Sequence, residues 1–193
     1  PQDIYIHATS GNPVINDSLS NQNNSTWKNE SHPMGSCTFT GGAYHVNVPV
    51  KDYVDCLSVG NSFRNFAFQV QIKIIQGDLG GIIFRADSGN TKFYWFGIGK
   101  VSVGQTYIIA RNENREPVTE EGGSSPIIKT ILNQTYLITV VAHESDFYVY
   151  VNKQYVDHLS DTTLSEGTVG VFATNPTSPS TEVVFSNAQI WVL

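Results

Sequence analysis

Apolar and polar residues alternate along most of this chain. The clearest run is 66–74 (FAFQVQIKI). Phe66, Phe68, Val70, Ile72 and Ile74 fall on one face, and Ala67, Gln69, Gln71 and Lys73 on the other. Strict period two over nine residues predicts a strand with one face against a core. Similar short segments follow at 80–86, 92–98, 106–111, 127–131, 136–143, 147–151, 154–158, 168–173 and 181–192. Residues 38–48 alternate around Gly41-Gly42, and turn signals such as Gln76-Gly77-Asp78 and Asp87-Ser88-Gly89-Asn90 recur every 8–12 residues. No helical period of useful length appears. Short strands at that spacing predict an all-β, antiparallel β-sandwich or barrel. Residues 1–36 read as a loop-rich N-terminal segment with an edge strand at 3–8, packed on a single domain spanning 1–193. Residues 112–126 read as a long acidic loop holding Glu113, Glu116, Glu120 and Glu121.

Composition narrows the function. Charged residues are 15% of the 193, and Lys+Arg 11 against Asp+Glu 17 leaves a net charge of −6. Without a basic excess to neutralise phosphates, no nucleic-acid partner is expected. No apolar run approaches the ~18 residues of a membrane-spanning helix. Asn, Ser and Thr replace the missing charges, as on many secreted β proteins. Cys37 and Cys56 lack metal-binding spacing, so they form either a disulfide or two buried thiols. The disulfide is the expectation, and it would place the domain outside the cytoplasm. The chain opens at Pro1 with neither Met nor a signal peptide, the expected form of a mature fragment. Glycosylation sequons stand at Asn16, Asn23, Asn24, Asn29 and Asn133.

Three stretches carry a resemblance. Residues 136–159 (YLITVVAHESDFYVYVNKQYVDHL) resemble the strand–turn–strand of concanavalin A-like and laminin-G-like jelly rolls, with Lys153 where a Gly usually follows Asn152. The C-terminal stretch 167–193 is similar to the end of the same superfamily through Gly167, Gly170, Phe185, Asn187 and Trp191. The hairpin 80–99 (GGIIFRADSGNTKFYWFGIG) resembles the 3-keto-disaccharide hydrolase-like branch. It is also similar to C-terminal sensory modules of bacterial membrane Ser/Thr kinases. The resemblance covers residues 38–193 and implies a concanavalin A-like jelly roll.

The chemistry is sought within that frame. Glycoside hydrolysis needs two facing carboxylates. No same-strand pair of the E-x-D-x-x-E kind occurs, and Trp95 stands where the hydrolase-like branch carries a carboxylate. The expectation is therefore a non-catalytic, extracellular or extracytoplasmic carbohydrate-binding or sensing module. Its partner would be a glycan or cell-wall polysaccharide, and the module would be tethered to a membrane protein rather than membrane-spanning itself. A hydrolase of the 3-keto-disaccharide type and a protein-interaction domain are the alternatives. Alternation places Arg85, Phe93 and Trp95 on one open face, where a ring could stack on sugar and a guanidinium could reach hydroxyls. The plainer reading of Trp95 beside Arg85 is cross-strand packing. Gln69 and Gln71 would extend that surface, and Asp87 would accept from hydroxyls. Tyr148 and Tyr150 form a second candidate patch. No cofactor is expected, with calcium as the one candidate, on Asp78, Asp87, Asn90 and the acidic loop. A turn role is the competing reading of those Asp residues.

Overall fold

The computed structural model describes residues 1–114, 116–129 and 131–193. In chain order it contains α1 (Gln2–Ala8), β1 (Ile15–Asp17), β2 (Glu30–His32), β3 (Gly35–Thr40), β4 (Ala43–Val48), β5 (Tyr53–Leu57), β6 (Phe66–Gln76) and β7 (Leu79–Ala86). There follow β8 (Lys92–Ser102), β9 (Gln105–Glu113), β10 (Glu116–Gly123), β11 (Thr135–His143), β12 (Asp146–Val151), β13 (Gln154–Ser160), β14 (Thr168–Thr174) and β15 (Thr181–Val192). They form two antiparallel sheets. The first has the order β13-β12-β11-β6-β15-β4-β3-β2, with β1 added beside β15. The second runs β10-β9-β8-β7-β14-β5. This is a concanavalin A-like jelly-roll sandwich.

The alternation seen in the sequence builds the layers. Phe66, Phe68, Val70, Ile72 and Ile74 of β6 all enter the core between the sheets, where they meet Ile82, Phe84, Tyr94 and Phe96 of β7 and β8. The same period sends Ile83, Phe93 and Trp95 to the outer face of the second sheet. Cys37 on β3 and Cys56 on β5 are joined by a disulfide. Because β3 and β5 belong to different sheets, the bridge ties the two layers together at one side.

Three expectations are corrected. The described part of 127–131 is not a strand: the Ile128 N–H donates to the Ser125 carbonyl at 3.1 Å in a turn that drops Ile128 into the core. Residues 3–8 are helical, not an edge strand. In a helix Tyr5 and Ala8 share one face, and both are buried against Ala67, Val141, Tyr150 and Trp191 on the outer face of the first sheet. That apolar patch outweighs the local alternation. The acidic stretch forms β10, paired with β9, instead of a loop. Its Glu residues and Pro117 suit an edge strand, where charge and a missing N–H discourage further pairing. Among the described residues, no helix is long and apolar enough to cross a membrane.

One buried carboxylate holds the end of the sandwich. Asp78 is fully buried and accepts from the backbone N–H and hydroxyl of both Thr177 and Ser178, at 2.5–3.0 Å. Burial alone would push its carboxyl up, but the donors on Ser178 and Thr177 outweigh it and hold the group below its ordinary value. A depressed carboxylate contributes stability above its unfolded pKa and loses that contribution as the pH falls through the folded value. Asp78→Asn is therefore expected to destabilise at pH 7 by about 1–3 kcal/mol, since an amide turns N–H groups toward donors. The gap to wild type should narrow as the pH falls below the carboxylate range. Urea midpoints at pH 7 and pH 3 measure this, and a gap that stays constant would contradict it.

Candidate functional site

The outer face of the second sheet holds a trough. Tyr53, Ile83, Phe93, Trp95, Asn112, Pro117, Phe172 and Thr174 line a depression of ≈140 Å³. Tyr53 lies on one edge strand and Pro117 on the other, five strand spacings apart. In a flat sheet that separation would be ~24 Å. Residues so far apart line one small depression only if the sheet is curled, so this outer face is concave.

Its floor is aromatic and ordered. Trp95 is half-buried, and its ring stands edge-on to Phe172, with centroids 5.3 Å apart and planes at 82°. The indole Nε1 donates to Asn112 Oδ1 at 2.9 Å. This fixes the ring from the side and leaves the Asn112 amide nitrogen without a partner among the described residues. Asn112 is paired directly with Phe93 across β8 and β9. Phe172 lies over bare backbone, since a Cβ on Gly97 would meet its ring at 3.1 Å. The result is a shallow apolar surface with one oriented indole and one amide. It is well short of the roughly 300–1,000 Å³ that encloses a drug-sized ligand, so it suits one face of one small ring.

Of the residues expected here, the structure brings Phe93 and Trp95 together and places the others elsewhere. Arg85 is a correction. It is 1% exposed and points away from the trough, over the Phe147 ring at 4.9 Å. The cause is a β-bulge. Between the pairs Thr168↔Ala86 and Gly170↔Ile83, β7 has one residue more than β14. Arg85 adopts φ 50°, and Ala86 then regains the outer face beside Ile83. Burial pushes the guanidinium pKa down, as does the nearby Arg64, with Tyr94 opposing.

Gln69 and Gln71 are also corrected as extensions of the Trp95 surface. They belong to β6, on the opposite outer face of the sandwich. Gln69 is covered by α1. It accepts from the Tyr5 hydroxyl at 2.7 Å and the Thr139 hydroxyl at 3.3 Å, and donates to Gln189 at 3.1 Å. Gln71 accepts from Ser186 and Asn187. The second patch is divided. Tyr150 is fully buried beneath α1, its hydroxyl donating to the Pro1 carbonyl at 2.7 Å. Burial pushes its pKa up. Tyr148 stays half-buried beside His158, with ring centroids 4.7 Å apart.

The carboxylates serve the turns and sheet edges. Asp87 accepts from the Thr91 N–H at 2.6 Å, the Thr91 hydroxyl at 2.7 Å and the Lys92 N–H at 3.2 Å. Burial alone would raise its pKa, but these bonds and the Lys92 charge lower it. Asn90 donates to Asp55, and Glu113 pairs with Arg111 and Lys92. The oxygens of Asp78 and Asp87 are thus turned toward N–H and O–H donors.

Asn112 and Tyr53 were not singled out in the sequence. Asn112 could have been found as the polar residue continuing the outward series Ile108, Ala110 on β9. Nothing local marks Tyr53, because the curl of the sheet brings it to the trough.

No family model and no curated protein matches this sequence. Solved structures do match in fold. A carbohydrate-binding module, CBM66 from Bacillus subtilis, superposes with a TM-score of 0.68 at 19% identity, covering 86% of this chain and 95% of that one. A Bacillus subtilis protein of unknown function with a galectin-like fold gives 0.69 at 13%, covering 93% and 96%. The Bacillus licheniformis beta-glucanase gives 0.65 at 8%, covering 94% and 99%. At these identities the likeness defines the fold, a sandwich shared by carbohydrate-binding modules and glycanases.

Proposed function

We propose that this chain is a non-catalytic carbohydrate-binding module that works outside the cytoplasm and seats a glycan in the trough of the second sheet. The carrying observation is the concave floor of Phe93, Trp95 and Phe172, with the Asn112 amide beside the indole. Sugar rings present apolar C–H faces that stack on aromatic rings, and hydroxyls at their edges that need polar partners. The fold it shares with a carbohydrate-binding module and a beta-glucanase supports this reading. The disulfide supports an oxidising compartment. The non-catalytic part rests on the aromatic Trp95 standing where the hydrolase-like branch has a carboxylate. Tethering to a larger membrane protein, as a sensing or wall-binding part, belongs to the same proposal.

Affinity electrophoresis against a panel of soluble polysaccharides, with pull-down on insoluble cell-wall preparations, tests it. Trp95→Ala is expected to weaken retention at least about tenfold, because the stacking surface goes. Its unfolding midpoint should stay within a few degrees of wild type, since the ring is half exposed. Unchanged retention in Trp95→Ala would remove the trough as the site.

A further inference from the structure

The trough is closed on one side by a turn that reaches across the sheet. The β7–β8 connection begins at Asp87, and its Asn90 side-chain amide donates to the carboxylate of Asp55. Asp55 lies on β5, two strands beyond β7 in the sheet order. On β5, Val54 and Cys56 enter the core, so Tyr53, Asp55 and Leu57 all face outward. Tyr53 lines the trough. Leu57 lines a second depression of ≈650 Å³, together with Asp87, Ser88 and Thr168. Asp55 stands between them, at the middle of an outward row that spans ~13 Å. The Asn90–Asp55 contact is therefore a clasp dividing one continuous face into two depressions.

The clasp is not explained by local satisfaction alone. Asn90 adopts φ 51°, and its Oδ1 is buried and accepts from no group among the described residues. A buried acceptor without a donor opposes the closed arrangement and is rare enough in folded proteins to need a reason.

We propose that the Asn90–Asp55 clasp makes the trough a chain-end site, which admits the terminal unit of a saccharide chain and blocks continuation of the chain along the face. This rests on the carbohydrate reading above and adds the class of ligand. The trough holds one ring face, and beyond it along β5, from Tyr53 toward Leu57, the chain would meet the clasp. With the clasp open, the two depressions join into a groove that an internal segment can occupy.

The test uses a linear polysaccharide that retains the wild-type protein, intact and after limited endo-hydrolysis to shorter chains. For wild type, binding sites per gram are expected to rise by the factor by which chain ends increase. Asn90→Gly suits the left-handed backbone and removes the clasp, and Asp55→Ala removes its acceptor. Both are expected to raise capacity on the intact polymer several-fold and to flatten its dependence on chain ends. Asp55→Asn keeps an oxygen for the Asn90 amide and should behave as wild type. Equal wild-type capacity per gram on both preparations would overturn the proposal, as would an Asn90→Gly profile identical to wild type. If wild type is retained by no saccharide, the carbohydrate reading itself falls. Retention that ignores chain ends sinks only the chain-end site.

Discussion

Replacing Cys37 and Cys56 together by Ala is expected to lower folding stability by about 3 kcal/mol, through the chain-entropy effect of releasing a loop of this length. In a domain this size each kcal/mol moves the midpoint about 2–4 °C, so the shift should be about 6–12 °C. The location adds to the entropic term. Both cysteines are fully buried, and they join β3 of one sheet to β5 of the other. Strand β5 is an edge strand whose only ladder partner among the described residues is β14. Its release should loosen Tyr53 at the trough rim and Asp55 in the clasp before the core itself opens. Amide exchange localises this effect, with protection expected to fall first along β5 and the Asp87–Lys92 turn. A double variant with the wild-type midpoint would contradict the assignment, as would uniform loss of protection across both sheets.

Arg85 is the second position where a large effect is expected. Its Nε and Nη2 donate to the Arg64 carbonyl at 3.1 and 2.6 Å, and its Nη1 to the Leu164 carbonyl at 2.8 Å. One guanidinium thus pins two loops, the one entering β6 and the one entering β14. Arg85→Ala leaves these carbonyls without their donor and a void beside Phe147. The expected loss is about 2–4 kcal/mol. Arg85→Lys retains the charge but has no planar fork to serve both loops, so it should recover only part of that loss. Urea unfolding of the two variants measures this. If Arg85→Lys matches wild type, charge rather than the forked contact is what matters. Sugar retention by Arg85→Lys should persist below its unfolding midpoint, because Arg85 does not reach the trough.

The contrast between Arg85 and Trp95 shows how far local patterns extend. Counting every second residue puts both on the outer face. Trp95 is there, because β8 keeps its register with β9 from Lys92 to Ile98 and with β7 from Tyr94 to Gly99. Arg85 is not, because one bulged residue reverses the count. The bulge is visible only against β14, which enters the chain more than 80 residues later. Gln69 and Gln71 fail in another way. Their alternation holds in β6, but its polar face belongs to the other side of the sandwich, where α1 covers part of it. The donors to Gln69, Tyr5 and Thr139, lie 64 and 70 residues away from it.

The alternation by itself determined most of the strands and the inward set of β6, since a strand buried on one face must repeat every two residues, but it left sandwich and barrel open. It also placed Phe93 and Trp95 side by side. Tertiary structure alone decided that residues 3–8 fold as a helix, that Arg85 turns inward, that the sheet curls enough to bring Tyr53 and Pro117 to one trough, and that Asn90 reaches Asp55. Each of these depends on contacts between segments far apart in the chain. Their energies come from the partner surface, whereas a local run of residues records only its own periodicity.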